Sequence, residues 1–179
     1  MKRPILVIAA LLAISLFSNK VSAQTAPAAP AAATGDVVAA LTSSDDYTAL
    51  AIAVRAAGLN TTLEGAGPFT IFAPTNIAFG KVPSAKLDSL MKDPAKFASV
   101  LKFHVVSGKY AKADLIKALG ASKDRKTTLK TLDGETLTLA VVGGKLQLSD
   151  EHGNTALVNH FDLPATNGVI HGLDAVLAK

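Results

Sequence analysis

Gly67-Pro68-Phe69-Thr70-Ile71-Phe72-Ala73-Pro74-Thr75-Asn76-Ile77-Ala78-Phe79 is the stretch whose reading decides the fold. Gly65, Gly67 and Pro68 are turn formers, and the aromatic and β-branched run of Phe69, Thr70, Ile71 and Phe72 that follows predicts a short buried strand. Pro74 has no N–H to give a sheet ladder and ends the strand. Thr75 then offers an oxygen to cap a brief helix over residues 76–79, and Thr75 and Asn76 together are expected to satisfy the orphan N–H groups of that turn. Phe72 and Phe79 become core residues on either side of the break.

Working outward, Tyr47, Leu50, Ala51, Val54 and Ala57 recur at helical spacing behind Asp45 and Asp46, which are placed to cap the first turn, and Gly58 supplies a left-handed stop. Downstream, Leu87, Leu90 and Met91 make a second helical stripe after Ser84. Asp93-Pro94, a cap followed by a first-turn proline, starts a third helix that carries Phe97, Val100 and Leu101. A strand is expected over 103–106 and a helix over 111–119, stopped by Gly120. The period then changes. Leu129 and the alternation of Leu137, Leu139 and Val141 are split by Asp133-Gly134, and Leu146 and Leu148 follow Gly143-Gly144, dipeptides that suit two-residue hairpin turns. This antiparallel meander continues over 156–161 and, after Asn167-Gly168, over 169–176. Helices early and strands late predict an α+β fold with a mostly antiparallel sheet.

The chain has 179 residues and no cysteine, which excludes disulfide scaffolds, thiolate metal sites and cysteine nucleophiles. Lys2 and Arg3 precede an apolar run over 5–17, and Val21-Ser22-Ala23 offers a cleavage site, so residues 1–23 read as a secretory signal peptide, too short in its apolar part to span a membrane. Residues 24–35, uncharged and rich in Ala and Pro, read as a spacer, and 36–179 as one domain. The formal charge of +4 includes Lys2, Arg3 and Lys20, so the secreted chain carries only +1 and gives no signal for nucleic acid. Its lysines are spread from Lys81 to Lys145 among acids, which predicts binding that is mainly apolar and weakly salt dependent.

No nucleophile elbow, phosphate loop or dinucleotide fingerprint is present. His104, His152, His160 and His171 show no metal-ligand spacing, and Asp45-Asp46 and Asp150-Glu151 are placed as caps and solvated turns rather than as an acid/base pair. Aromatics make up 5% with no tryptophan, which disfavours a stacking platform for bases or sugars. Catalytic, cofactor and metal residues are therefore expected to be none, and the chain is not expected to be an enzyme.

Three segments carry a resemblance. The opening stretch resembles the first signature of fasciclin (FAS1) domains, an aromatic strand running into A-P-T-[DN]-x-A-F. Phe103-His104-Val105-Val106-Ser107-Gly108-Lys109-Tyr110 is similar to the second, Y-H-V-V-x-G, and Asn167-Gly168-Val169-Ile170-His171-Gly172-Leu173-Asp174-Ala175-Val176-Leu177 resembles the closing N-G-V-I-H-x-x-D-x-V-L. The resemblance implies a wedge-like β fold flanked by helices, in secreted, periplasmic or surface proteins that mediate adhesion to cells, matrix or other proteins. In animal members the Tyr-His pair of the second signature is implicated in integrin binding; the matching residues here are Phe103 and His104, without the phenol hydroxyl. His160-Phe161-Asp162-Leu163-Pro164 departs from the family by adding apolar bulk, which makes Phe161 and Leu163 the other interaction candidates if they are exposed and core residues if they are not. His104, between a phenylalanine and two valines, is equally readable as a satisfied interior group bonding the Thr75-Asn76 turn, and His171 in the same way. The function expected is a secreted adhesion or protein-interaction module with a protein or cell-surface partner. The alternative is a carrier of an apolar small molecule, carotenoid- or lipid-like.

Overall fold

The computed structural model describes residues 33 and 35–177, so the expected signal peptide and most of the spacer lie outside the described residues. The first element is a helix that the periodicity did not announce: α1, Val37–Ser43, opens behind Asp36, whose carboxylate accepts from the Ala39 N–H at 2.8 Å, and buries Val37, Val38, Ala40 and Leu41. A 3-10 turn, Asp45–Tyr47, leads into α2, Thr48–Ala56, which ends where Gly58 takes φ 66°. Asp45 and Asp46 lie in that turn and do not cap α2. A further short helix, α3, Asn60–Leu63, precedes β1, Phe69–Pro74. Thr75 caps α4, Asn76–Gly80, accepting from the Ala78 N–H at 3.2 Å.

Helices α5, Ser84–Lys92, and α6, Pro94–Phe103, follow, the latter capped by the Asp93 carboxylate, which accepts from the Ala95 and Lys96 N–H groups. The strand expected to begin at Phe103 begins later: the helix runs through Phe103, and β2 is only Val105–Ser107. The reason is visible in the spacing. Phe97, Val100, Leu101 and His104 fall at i, i+3, i+4 and i+7, one helical face, and the burial of that face outweighs the strand preference of the valines that follow. Helix α7, Lys112–Ala121, likewise runs past Gly120.

The remaining strands are β3, Lys126–Lys130; β4, Thr136–Val142; β5, Lys145–Ser149; β6, Thr155–Ala165; and β7, Gly168–Leu173. Gly143-Gly144, at φ 58° and 78°, makes the two-residue turn between Val142 and Lys145, whereas Asp133-Gly134 sits in a wider loop closed by the Thr131 N–H on the Glu135 carbonyl at 2.9 Å. Among the described residues seven strands form one sheet in the order β2-β1-β7-β6-β5-β4-β3, in which only β1 and β7 pair in parallel. A bridge between Val106 and Thr131 brings the two ends of the sheet together, so it is nearly closed. Phe72, Phe103, Leu115, Leu137, Leu139, Leu148 and Leu173 fill its interior, and Leu41, Leu50, Val54, Leu63, Ile71, Leu101 and Ile170 form a second core between the sheet and the helices. The α+β class and the predominance of antiparallel pairs thus hold.

Candidate functional site

The parallel pairing of β1 with β7 joins strands about a hundred residues apart, and polar side chains from the three signature segments hold it. Asn167 does most: its Oδ1 accepts from the Val37 N–H at 2.9 Å and its Nδ2 donates to the Leu63 and Gly65 carbonyls at 2.7 and 3.0 Å, fastening α1 and α3 to the start of β7. Gly168 follows because a Cβ there would collide with the Phe69 carbonyl across the ladder and stand 2.9 Å from a Val37 methyl. Thr70, fully buried, donates to the Gly108 carbonyl at 2.6 Å and accepts from the Tyr110 N–H at 2.9 Å. Asn76 does not serve the turn it begins. Its Oδ1 accepts from the Ala49 N–H in α2 at 2.9 Å, and its Nδ2 donates to the Asp45 carbonyl and the Thr48 hydroxyl, so it holds the α2 start in place of a cap.

The two signature histidines are consumed by backbone. His104 is 2% exposed, and Phe103 beside it 1%. Leu177 N–H donates to His104 Nε2 at 3.2 Å, which makes Nδ1 the protonated nitrogen and the donor to the Val100 carbonyl at 2.8 Å. His104 therefore ties α6 to the C-terminal segment and not to the Thr75-Asn76 turn. Burial pushes its pKa down to about 4, against the opposing pull of the Val100 carbonyl and the Asp150 carboxylate. His171 accepts from the Asp162 N–H at Nδ1 and donates from Nε2 to the Tyr110 carbonyl at 2.7 Å; burial lowers its pKa too. Its ring lies between Phe72 and Phe161, with centroids 5.6 and 5.9 Å away. The matching Tyr-His position is thus interior here, and neither Phe103 nor His104 reaches the surface.

Phe161 and Leu163, two apart in β6, would share a face of a regular strand. They do not. The β6–β7 register slips between Val158 and His160 and again between His160 and Leu163, and Asp162 takes φ 59°. Phe161 is thereby turned to the interior of the sheet and Leu163 to the helix-side core, both half-buried. The bulge also aims Asp162 Oδ1 at the Lys112 N–H, 2.8 Å away, so the first turn of α7 is capped from a strand fifty residues later, and Lys112 Nζ lies 4.7 Å over the Phe161 ring. Phe161 and Leu163 make no common surface patch.

What the surface offers is elsewhere. Between α7 and the β4–β5 hairpin run two clefts, of about 510 and 330 Å³, that share Ile116 and Val141 and so form one trough. Ile116 is 51% and Val141 40% exposed, with Val142 at the hairpin tip also exposed. Nothing in the sequence pattern singles out this trough, because its two walls are a helix and a hairpin whose apposition is tertiary. Among the described residues no group of His, Asp or Glu is arranged to hold a metal ion, and no single helix is long and apolar enough to cross a membrane.

Comparison with known proteins places this architecture. The fasciclin domain profile matches residues 45–179. The protein sll1483 of Synechocystis is 36% identical over 143 residues, covering 79% of this chain and 72% of that one. The transforming growth factor-beta-induced protein ig-h3 of Sus scrofa is 34% identical over 74% of this chain, but the match spans only 18% of ig-h3. The immunogenic protein MPB70 of Mycobacterium bovis is 31% identical over 111 residues, half of its length. Among solved structures, the FAS1 domain pair of the insect cell adhesion molecule Fasciclin I superposes with a TM-score of 0.66 at 22% identity, covering 82% of this chain and 52% of the pair.

Proposed function

The chain belongs to the fasciclin domain family, and from that premise we propose that it is a secreted adhesion or protein-interaction module without catalysis of its own. The observation that carries the reading is the contrast between inside and outside. The signature histidines, His104 and His171, are buried and committed to backbone partners, while the concave surface between α7 and the β4–β5 hairpin is floored by exposed apolar side chains. Secretion is supported by the charged start, apolar run and small-residue cut of residues 1–23.

Beads coated with the folded chain should attach to cells or envelope of the producing organism, and beads coated with heat-unfolded chain should not. Attachment no greater than that of albumin-coated beads refutes the reading. The carrier reading is favoured by the size of the larger cleft, which falls within the roughly 300–1,000 Å³ of small-molecule sites. It predicts a pigment or extractable lipid in protein purified from its native source, read by absorption and mass spectrometry, and a colourless, lipid-free preparation counts against it.

A further inference from the structure

We propose that the trough between α7 and the β4–β5 hairpin docks an extended acidic segment of a partner protein, with apolar residues between two carboxylates; this rests on the interaction-module reading above. The trough is apolar in the middle and cationic at both ends. Ile116 and Val141 make its centre. Lys112 and Lys145 line the end at the start of α7, and Lys123 and Arg125 line the end beyond its last turn. Among the described residues no acidic side chain lines either cleft. Asp114 on α7 accepts from the Ala111 N–H at 3.1 Å and Asp162 on β6 from the Lys112 N–H, and Asp124, between Lys123 and Arg125 in sequence, is exposed and lines neither cleft.

Among the described residues, Lys123, Arg125 and Lys145 make no side-chain hydrogen bond or ion pair, so four cations surround a greasy floor without partners beyond the Phe161 ring under Lys112. Arg125 is placed there at φ 50°, a left-handed conformation uncommon for a side-chain-bearing residue, in a turn closed by its N–H on the Ser122 carbonyl at 3.1 Å. Desolvating cations beside apolar surface is unfavourable unless an anion accompanies the apolar group that covers them.

The distribution of charge selects the occupant. A neutral apolar ligand leaves the rim unpaired, and a single-headed amphiphile pairs one end only. The ten residues of α7 span about 15 Å. Residues i and i+4 of an extended peptide stand about 13 Å apart at roughly 3.3 Å per residue. Two acidic residues separated by three apolar ones therefore place one carboxylate at each end. The chain's own residues 24–35 carry no charge and do not match. A flat bilayer fits a concave floor poorly.

The test is fluorescence anisotropy on the secreted chain with a labelled, end-blocked pentapeptide in which leucine, valine and leucine separate two aspartates. Binding should saturate, weaken at least tenfold in a Lys123→Glu, Arg125→Glu double variant and at least tenfold in Ile116→Asp, and vanish when the peptide's aspartates become lysines. All three positions are exposed, so the variants should keep the wild-type melting curve. Binding indifferent to these changes overturns the proposal. So does saturable binding of oleate, or of phosphatidylglycerol vesicles, by a chain that ignores the peptide. If the peptide fails to bind while coated beads still adhere, the trough is wrong and the module reading stands; if adhesion is absent as well, both fall.

Discussion

Acidification should destabilise this domain through His104. The imidazole titrates near 6.5 in an unfolded chain and at about 4 in the folded one, because the folded state has no water for the charged form. Between those values the unfolded chain binds the proton and the folded chain does not, so stability is complete above pH 6.5 and falls as pH drops towards 4. Each pH unit across that window costs about 1.36 kcal/mol, so the loss is roughly 2 kcal/mol by pH 5 and roughly 3 kcal/mol by pH 4. His171, also lowered by burial, acts with the same sign, while Asp93, held below the usual carboxylate range chiefly by the Lys96 N–H, titrates at lower pH and leaves the window clear. The perturbation is His104→Gln, whose amide oxygen can still accept from the Leu177 N–H but which strands the Val100 carbonyl. At pH 7 the variant should lose about 1–2 kcal/mol. Its urea midpoint should then fall less steeply than wild type between pH 7 and pH 4.5, the residual slope belonging to His171. Parallel pH profiles for the two proteins would refute the assignment of His104 as a buried neutral pin.

Asn167→Ala removes one accepted and two donated hydrogen bonds, and should cost roughly 3 kcal/mol in urea unfolding; a loss below about 1 kcal/mol would show that water replaces them. Asn167→Asp keeps the acceptor for the Val37 N–H but sets a carboxylate oxygen against the Leu63 and Gly65 carbonyls, so it should lose at least as much as the alanine variant. Gly168→Ala meets the Phe69 backbone, which cannot swing aside, so the melting temperature should drop sharply or folding fail, and an unchanged melt would contradict the close β1–β7 approach. Asp162→Gly keeps the left-handed φ and loses only the α7 cap, about 1 kcal/mol, whereas Asp162→Ala loses both and should be the less stable of the pair.

Local signals specify the elements they sit in. Asp93-Pro94 starts α6, Thr75 caps α4, Gly58 ends α2 and Gly143-Gly144 turns β4 into β5, because each acts through backbone groups a few residues away. The misplaced features are those in which two local rules compete or a distant one intervenes. Phe103-His104-Val105-Val106 has strand chemistry, yet His104 completes the helical face begun at Phe97 while Phe103, still helical, turns into the sheet interior. Val37 and Leu41 at i and i+4 behind Asp36 are a legible helix signal, but one too short to stand out from the end of the spacer. The double slip in β6 leaves no mark in the sequence, which leaves Phe161 and Leu163 open between patch and core on one strand face; they pack against cores on opposite sides of the sheet. Basic residues counted along the chain read as dispersed because Lys112 and Lys145 come to share one end of a cleft, and Lys123 and Arg125 the other, only when α7 is laid along the β4–β5 hairpin.

The signature residues explain why the family is easily recognised and its partners are not. A parallel pair between a strand at residue 69 and one at residue 168 closes a long loop, so its entropy must be met before any contact along it forms. Asn167 bonding across 130 and 104 residues, His104 across 73 and His171 across 61 supply specific, directional contacts at that closure, and each satisfies a backbone group that has no ladder partner. Residues held to this task are buried or fully bonded, and so are unavailable to a partner. The segment from Lys112 to Ser149 lies between the second and closing signatures, contributes α7 and the β3–β5 meander, and needs from its surface side chains only solubility and the sheet alternation. Free of the closure, that segment is where a domain of this fold can change the chemistry of its surface without altering the contacts that hold β1 to β7, and in this chain it carries the exposed Ile116, Val141 and Val142 together with the cationic rim.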